Sequence, residues 1–436
     1  MTLLPQASPR LWSGLFMLAA CTLLLDMLQG AALSLGLSVP PVAQALKAAL
    51  LLAMLALLRV TDFKVVLVLL ALALCMMTGP LLTHWMLEPG LSLMAEVSLI
   101  AKLLAPLVAL LAFYRFSQSA PEQAERVLQA LMLLFATVLV LNLLLGFAGF
   151  GYAAYSPMED IELAALGSSG FFVSANELSA LLLVLTAYLL HRSWPDNRFG
   201  FLLVVLLALF CAAQLLTKTA LLGVVLLTVL IPWLHLTASM RRRSALVLVL
   251  FALVLLLSSP FWLEPLLVAL GLHQKLLWVW QERGLLGLLL SSRELYLQQN
   301  LQLLTEQYAP WHWLLGVGQA GIALYQKKYF VESDLVDLAI FFGLPALVFA
   351  VGWFGWLLRL CWHQRHLATG RVLLLLNGLL LLLAVLVGHV LTSGILWLPW
   401  GAWCGWLLAQ ASGSNPAYSF DTSLQATLKT GQRTDL

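Results

Sequence analysis

Charge is what this sequence has least of. Only 10% of its 436 residues are Asp, Glu, Lys or Arg, and 62% are hydrophobic. A soluble globular protein carries roughly 25% charged residues, so the composition excludes a soluble enzyme. A polytopic membrane protein of this length usually forms one helical bundle, so we predict a single membrane domain. The formal net charge of +3 names no partner by itself.

Paired cysteines are also missing. The five cysteines lie within or at the edges of separate apolar runs, at Cys21, Cys75, Cys211, Cys361 and Cys404. They form neither a disulfide framework nor a CxxC zinc pattern. The first apolar stretch lacks a clear cleavage site for a signal peptide, so we predict that it is retained as the first span.

Long apolar runs, by contrast, are abundant. A helix needs about 20 apolar residues to cross a bilayer, and the sequence holds about twelve such runs. Their centres lie near Ala20, Leu51, Leu70, Leu104, Phe135, Leu183, Leu206, Val225, Ala252, Leu347, Leu382 and Trp403. We therefore predict an all-α polytopic membrane protein with about twelve transmembrane helices, the seventh and eighth joined by a tight turn at 214–217.

The basic residues orient these spans. Lys and Arg accumulate in cytoplasmic loops, and an N-terminus inside the cell places fifteen of the 23 basic residues in such loops, with both termini cytoplasmic. The other eight lie within spans or on the far side, where we look for function: Lys47, Lys102, Lys218, Lys275, Arg283, Arg293, Lys327 and Lys328.

Two outer segments are longer than a connection needs. Residues 150–173 carry three clustered acidic residues, and residues 260–331 form a large, apolar and partly helical periplasmic loop typical of a membrane surface. We predict one transmembrane domain over residues 1–411, which includes the 260–331 loop, and a disordered cytoplasmic tail over residues 412–436.

Three outer cations are candidates for binding phosphate. Lys218 follows the tight turn between two spans, where its ammonium must be solvated or paired, with phosphate or with lipid headgroups. Arg293 lies in the large loop, and its guanidinium can hold two phosphate oxygens or pair with a nearby Glu. Arg283 is a further candidate in a weaker context.

Three carboxylates mark the start of the tenth predicted span. Glu332, Asp334 and Asp337 are costly at a membrane surface unless they serve a purpose, and Asp334 and Asp337 share one helix face. One explanation is capping, with Ser333 or Asp334 as N-cap; another is general-base catalysis, and the two are compatible. Asn176 at the start of the sixth span is open to the same capping explanation.

Gly316 and Gly318 form a glycine pair without the strand-to-helix context of a nucleotide-binding loop. We expect them to permit a tight turn or a close approach to a ligand. Ionisable residues inside the spans receive no role: Asp26, Lys47, Glu96, Lys102 and His389.

The order of these features resembles the O-antigen polymerase and ligase superfamily of bacterial membrane glycosyltransferases. The resemblance covers about residues 176–343. In order, it rests on Asn176, Thr-Lys-Thr-Ala-Leu-Leu-Gly around Lys218, Arg293, Leu-Gly-Val-Gly at 315–318, and Glu-Ser-Asp-Leu-Val-Asp from Glu332. It implies a C-class glycosyltransferase-like fold in the bacterial inner membrane, with its active site in the periplasm.

The resemblance also implies a reaction. Members transfer a glycan from undecaprenyl pyrophosphate to a hydroxyl of another glycan. On this basis Lys218, Arg293 and Arg283 would bind the pyrophosphate, and Glu332, with Asp334 as its rival, would be the base of an inverting transfer. Asn176, Gly316, Gly318 and Asp337 would support them. No cofactor is expected, and the cationic clamp makes a metal unnecessary in principle.

Two departures from the family pattern guide the choice within it. Lys218 stands where members usually have Arg, which keeps the charge but loses the bidentate fork. Glu332 stands where ligases typically have His, which favours a Wzy-type polymerase of O-antigen or exopolysaccharide. The alternatives are an O-antigen ligase that uses lipid A-core as acceptor and, more remotely, a polysaccharide flippase. The expected partners are the lipid-linked donor, the acceptor glycan, the bilayer and, further, a chain-length regulator and a flippase, with no nucleic acid.

Overall fold

The computed structural model describes residues 8–86, 92–155, 166–269, 271–291, 293–327 and 330–414. These residues form helices and no strand, although two isolated β-bridges occur between residues 152 and 170 and between residues 155 and 166. The helices, numbered in chain order, are α1 (Pro9–Ala20), α2 (Thr22–Ser34), α3 (Val42–Thr61), α4 (Phe63–Met86), α5 (Met94–Ser119), α6 (Pro121–Phe147), α7 (Ala175–Ser193), α8 (Arg198–Leu215), α9 (Lys218–His235), α10 (Ala238–Leu257), α11 (Ser259–Ala269), α12 (His273–Leu290), α13 (Arg293–Gln307), α14 (His312–Leu315), α15 (Gln319–Ala323), α16 (Asp334–His363), α17 (Ala368–Leu386) and α18 (Trp397–Ser414).

The chain is a polytopic helical membrane protein. Within the described residues, nine helical segments are long and apolar enough to cross a bilayer, and α10 and α11 add a tenth if this pair, bent by 69°, is one span. All twelve predicted span centres fall within helices. The two centres outside these ten segments belong to α7 and α18, which are mostly buried by neighbouring helices and therefore need less apolar surface. The count of twelve spans stays a prediction.

Helix α5 forms the core of the bundle, and α18 packs along it. A Cβ on Gly401 would lie 2.5 Å from the carbonyl oxygen of Pro106, and one on Gly405 would lie 2.4 Å from that of Leu110. Glycines at these positions let the two backbones approach closely, as small residues do in membrane helix packing. This contact fixes the start of α18 beside the middle of α5.

The bundle has two distinct ends. We call the end at which α5, α7, α9, α16 and α18 begin the site end, because most of the candidate residues lie there. The other end carries the cations predicted to be cytoplasmic, among them Arg115, Arg192, Arg241 and Arg371. Which end faces the cytoplasm stays a prediction.

Several predicted features fall partly or wholly outside the described residues. The acidic cluster Glu159, Asp160 and Glu162, together with Lys328, lies outside them. Helix α18 continues to Ser414, so residues 412–414 of the predicted tail are helical, and the rest of that tail lies outside the described residues.

Candidate functional site

The turn that carries Lys218 is built by Leu216 and Thr217. Leu216 adopts a left-handed conformation with φ 51°, which ends α8, and the Thr217 hydroxyl caps α9 by accepting the N–H of Ala220 at 3.1 Å. The predicted tight turn is thus confirmed. Lys218 is the first residue of α9, and its Nζ donates to Oγ of Ser291 at 3.2 Å. Lys218 therefore lies against the segment that leads into α13.

The first outer segment folds over this turn. The backbone N–H of Ser168 donates to the carbonyl of Gln214 at 2.7 Å, and the Tyr155 hydroxyl donates to the carbonyl of Leu216 at 3.3 Å. Burial raises the pKa of the Tyr155 phenol, and the charge of Arg293 lowers it. The phenol therefore stays neutral near physiological pH, within the electrostatic reach of Arg293.

Arg293 and Glu332 form an ion pair at the site end. Nη2 of Arg293 lies 2.9 Å from Oε2 of Glu332 and 3.4 Å from the carbonyl oxygen of Val387, while Nη1 donates to the carbonyl of Leu290 at 3.2 Å. The Arg293 side chain is 12% exposed and that of Glu332 26% exposed. The Nε–H of Arg293 is buried and has no acceptor among the described residues. A buried, unsatisfied donor on a charged group calls for an explanation, and an anionic ligand would satisfy it.

The backbone at Glu332 is strained, and Asp337 holds it. Glu332 has φ 64°, a left-handed conformation that costs a non-glycine residue about 1–3 kcal/mol. The Asp337 carboxylate accepts three backbone N–H groups, from Val331 at 2.7 Å, Glu332 at 3.1 Å and Ser333 at 3.2 Å. Asp337 therefore positions Glu332.

Asp334 anchors a second segment, residues 387–396 between α17 and α18. Its carboxylate is 2% exposed and accepts the backbone N–H groups of His389, Val390 and Leu391, each at 2.8 Å. The hydroxyl of Thr392 adds a further bond at 3.3 Å. With its oxygens occupied by these donors, Asp334 has the geometry of an anchor and Glu332 that of the candidate base. Ser333 occupies the N-cap position of α16, but its hydroxyl donates to the carbonyl of Val385 instead.

The glycine pair Gly316 and Gly318 packs against the protein backbone. Gly316 has φ 79°, and a Cβ there would lie 2.3 Å from the carbonyl oxygen of Phe341. Helix α16 breaks at Gly343, which has φ 65°, and the freed carbonyls of Ile340 and Phe341 accept the N–H groups of Val317 and Gly318 at 3.0 and 2.9 Å. The close approach is therefore made to the backbone of α16, and an approach to a ligand stays a prediction. This contact supports the first turns of α16, which carry Asp334 and Asp337.

Among the described residues, neither Asn176 nor Arg283 forms a hydrogen bond or ion pair with Arg293. Asn176 is half-buried in the first turn of α7, next to Glu177, whose carboxylate accepts the Ser393 hydroxyl at 2.9 Å. Arg283 packs over the ring of Trp278 at 5.8 Å and forms no ion pair among the described residues. The structure thus brings together Arg293 and Glu332, with Lys218 nearby, and the role of Arg283 stays a prediction.

Sequence reasoning missed several members of this site. Tyr155 and Ser291 carry no motif, and their positions depend on how the two outer segments fold over α9. The 387–396 segment was also missed. It contacts the site at Gly388, which has φ 70°, and a Cβ there would lie 2.7 Å from the carbonyl carbon of Glu332. The sequence signal that could have pointed to this segment is His389, an ionisable residue in an otherwise apolar stretch. Among the described residues, no group of three His, Cys, Asp or Glu side chains is arranged to hold a metal.

No family model matches this sequence, and the search of curated proteins finds no match.

Proposed function

We propose that this chain is a twelve-span glycosyltransferase of the bacterial inner membrane that polymerises a polysaccharide. It would transfer a glycan from undecaprenyl pyrophosphate to the hydroxyl of another lipid-linked repeat unit on the periplasmic face. The observation that carries the proposal is the Arg293–Glu332 ion pair, in which a cation and a carboxylate meet at 2.9 Å. Lys218 lies nearby, bonded to a residue two positions before Arg293.

The donor pyrophosphate would bind Arg293 and Lys218. Arg293 has an unsatisfied Nε–H beside its Nη groups, so its guanidinium can present two donors to phosphate oxygens. Cations aimed at charge that develops on a departing phosphate lower the barrier most in a poorly hydrated site. Arg293 is 12% exposed, which meets this condition.

Donor binding and base activation would be coupled. Pyrophosphate competes with Glu332 for Arg293, so its arrival frees the carboxylate. Glu332 then accepts the proton of the acceptor hydroxyl as that oxygen bonds to the anomeric carbon of the donor. The bond from the anomeric carbon to the phosphate oxygen breaks, and its electron pair leaves with the pyrophosphate. Attack opposite the leaving group inverts the configuration.

Two other functions use many of the same features. An O-antigen ligase would share the donor chemistry and differ in its acceptor, lipid A-core. A flippase would require binding groups near the midplane, typically on broken helices. Helix α16 is broken, but the carbonyls freed at its break are already bonded to Val317 and Gly318. This favours an enzyme over a transporter that binds its cargo there.

The test is Glu332→Gln, which keeps the size of the side chain and removes its charge. We expect loss of polymer from purified protein supplied with labelled lipid-linked repeat units, by at least about 100-fold, the typical contribution of a general base. Glu306→Gln on the exposed end of α13 is the matched control and should retain activity. Polymer formation by Glu332→Gln at the wild-type rate would remove Glu332 from the mechanism. Product formed only after lipid A-core is added would identify a ligase.

A further inference from the structure

A second cationic cluster lies at the site end, apart from Arg293. Lys102 on α5 and Lys47 on α3 converge on Gly394 in the 387–396 segment. The Cε of Lys102 and the Nζ of Lys47 lie 3.7 and 3.8 Å from the position that a Cβ on Gly394 would occupy. Two ammonium-bearing side chains inside helical spans are expensive and usually indicate a function.

Lys102 faces open space on a helix that is otherwise enclosed. Helix α5 is 72% buried over its most apolar window, and Ala105 and Ala109 are covered by α18. On the same face toward the site end, Ser98 and Lys102 are both exposed. Helix α18 begins only at Trp397, so it leaves this part of α5 uncovered. We call this uncovered stretch of α5, where Gly394 lies beside the two lysines, the Lys47–Lys102 cleft.

Two carboxylates, those of Asp26 and Glu177, share this cleft with the two lysines, and the charge of Lys102 acts on Asp26. Lys47 forms an ion pair with Asp26 of α2, and the Glu177 carboxylate accepts the Ser393 hydroxyl and the Gly394 N–H at 2.9 and 3.1 Å. Lys102 forms no ion pair among the described residues. The absence of a side chain at residue 394 keeps the space between the two lysines open, and an anion of phosphate size bound there would form a direct ion pair with Lys102.

We propose that the Lys47–Lys102 cleft binds the pyrophosphate of the acceptor lipid, a second isoprenyl pyrophosphate distinct from the donor. The assignment to the acceptor rests on the proposed polymerase function. The reacting hydroxyl of a lipid-linked acceptor belongs to its glycan, so its pyrophosphate must lie away from the reaction centre. The 387–396 segment provides this separation, since Gly388 packs on Glu332 and Gly394 lies at the lysines. Six residues span at most about 20 Å.

Gly394→Asp gives the sharpest test, because its carboxylate would occupy the position between the two lysines. Gly394→Asn is the matched control of equal size without charge, and the backbone of Gly394 does not require glycine, since its φ lies outside the left-handed range. Lys102→Gln removes the unpaired charge independently, should Gly394→Asp fail to fold. The probe is farnesyl pyrophosphate, titrated into purified protein in nanodiscs made of uncharged lipid.

We expect wild type and Gly394→Asn to bind two equivalents of farnesyl pyrophosphate, and Gly394→Asp and Lys102→Gln to bind one. Arg293→Ala should also bind one, because it loses the donor site, and its combination with Lys102→Gln should bind none. One equivalent on wild type, or two on Lys102→Gln, would overturn the proposal. Displacement of the second equivalent by phosphatidylglycerol at equal concentration would also overturn it and identify a phospholipid site.

Activity then separates the acceptor assignment from the proposed function. With a lipid-free acceptor glycan, Lys102→Gln should transfer at the wild-type rate, whereas with a lipid-linked acceptor its KM for acceptor should rise at least about tenfold, equivalent to about 1.4 kcal/mol. An equal loss with both acceptors would contradict an acceptor subsite. If wild type transferred no glycan at all, the proposed function would fail, while the titration would still decide whether the cleft binds a second isoprenyl pyrophosphate.

Discussion

The two ends of the bundle use the same basic residue types in opposite ways. At the end opposite the site, arginines bind the protein itself. Arg371 donates from Nε to the carbonyl of Leu234 at 2.8 Å, Arg241 donates to that of Leu236 at 3.0 Å, and Arg198 lies 3.5 Å from the ring centre of Trp194. Cations at helix C-termini satisfy the last carbonyls and oppose the helix dipole.

At the site end the cations are only partly satisfied. Arg293 shares its charge with Glu332 but keeps a buried Nε–H without an acceptor among the described residues. Lys102 faces the cleft above α18. A cation already held by carbonyls gains little from a ligand. We therefore infer that the basic residues at the end opposite the site stabilise the fold, whereas those at the site end remain able to bind an anion.

The largest expected effect comes from removing one arginine at each end. Arg293→Ala should lower glycan transfer by about 10²–10³-fold, the usual cost of losing one group that stabilises developing charge. Arg371→Ala, the matched variant at the other end, should keep transfer per folded molecule and lower thermal stability instead, because carbonyls that it satisfies lose their donor. Transfer assays and thermal unfolding of both proteins in the same detergent provide the measurement.

The opposite result would contradict the functional difference between the two ends of the bundle. If Arg371→Ala lost transfer as strongly as Arg293→Ala while remaining folded, the two ends would not differ in function. If Arg293→Ala lost only stability, the Arg293–Glu332 pair would be a structural ion pair and nothing more.

A second prediction distinguishes the three carboxylates within the site end. Asp334→Asn replaces an acceptor of several backbone N–H groups with an amide that presents one acceptor and one donor group. We expect a loss of about 1–3 kcal/mol in stability, the cost of unsatisfied buried groups, and the same from Asp337→Asn. Glu332→Gln should cost less stability than either, because its side chain is 26% exposed and the amide oxygen can still accept a hydrogen bond from Nη2 of Arg293.

The same variants should also differ in glycan transfer, measured at a temperature well below the unfolding midpoint of each. Asp337→Asn should reduce transfer more than Asp334→Asn, since Asp337 holds the strained backbone of Glu332 itself. Equal stability of all three variants would show that Asp334 and Asp337 are not anchors.

The sequence predicts those parts of the fold that are encoded locally. Apolar runs identify helix positions because each span must bury its own backbone hydrogen bonds, and all twelve predicted centres lie in helices. The turn before Lys218 was predictable for the same reason, since Gln214 and Thr217 interrupt an apolar pattern over a few residues. The apolar runs also identified α7 and α18 as helices, although these two are not among the ten segments apolar enough to cross a bilayer.

The different roles of the Asp334 and Asp337 carboxylates could not be predicted from the sequence. Helical spacing puts Asp334 and Asp337 on one face and suggests similar roles. Their roles differ because Asp334 meets the 387–391 backbone, more than fifty residues away, while Asp337 meets residues 331–333. Likewise, the exposure of Lys102 is evident only from the structure, because it depends on where α18 begins to cover α5. Such contacts depend on tertiary packing, which a single sequence does not encode in any local pattern.

The smallest expected effect is a reciprocal exchange of cations. Lys218→Arg would offer phosphate a planar fork in place of a point charge, so we expect tighter binding of farnesyl pyrophosphate by less than about tenfold, with transfer retained. Arg241→Lys at the opposite end should leave this binding unchanged and lower the unfolding midpoint slightly, because one ammonium replaces the two hydrogen bonds that its guanidinium makes to Leu234 and Leu236. Weaker binding by Lys218→Arg would mean that Lys218 acts through its bond to Ser291 rather than through phosphate. That outcome would leave Arg293 as the main cation for the donor and limit the functional difference between the two ends to Arg293 and Lys102.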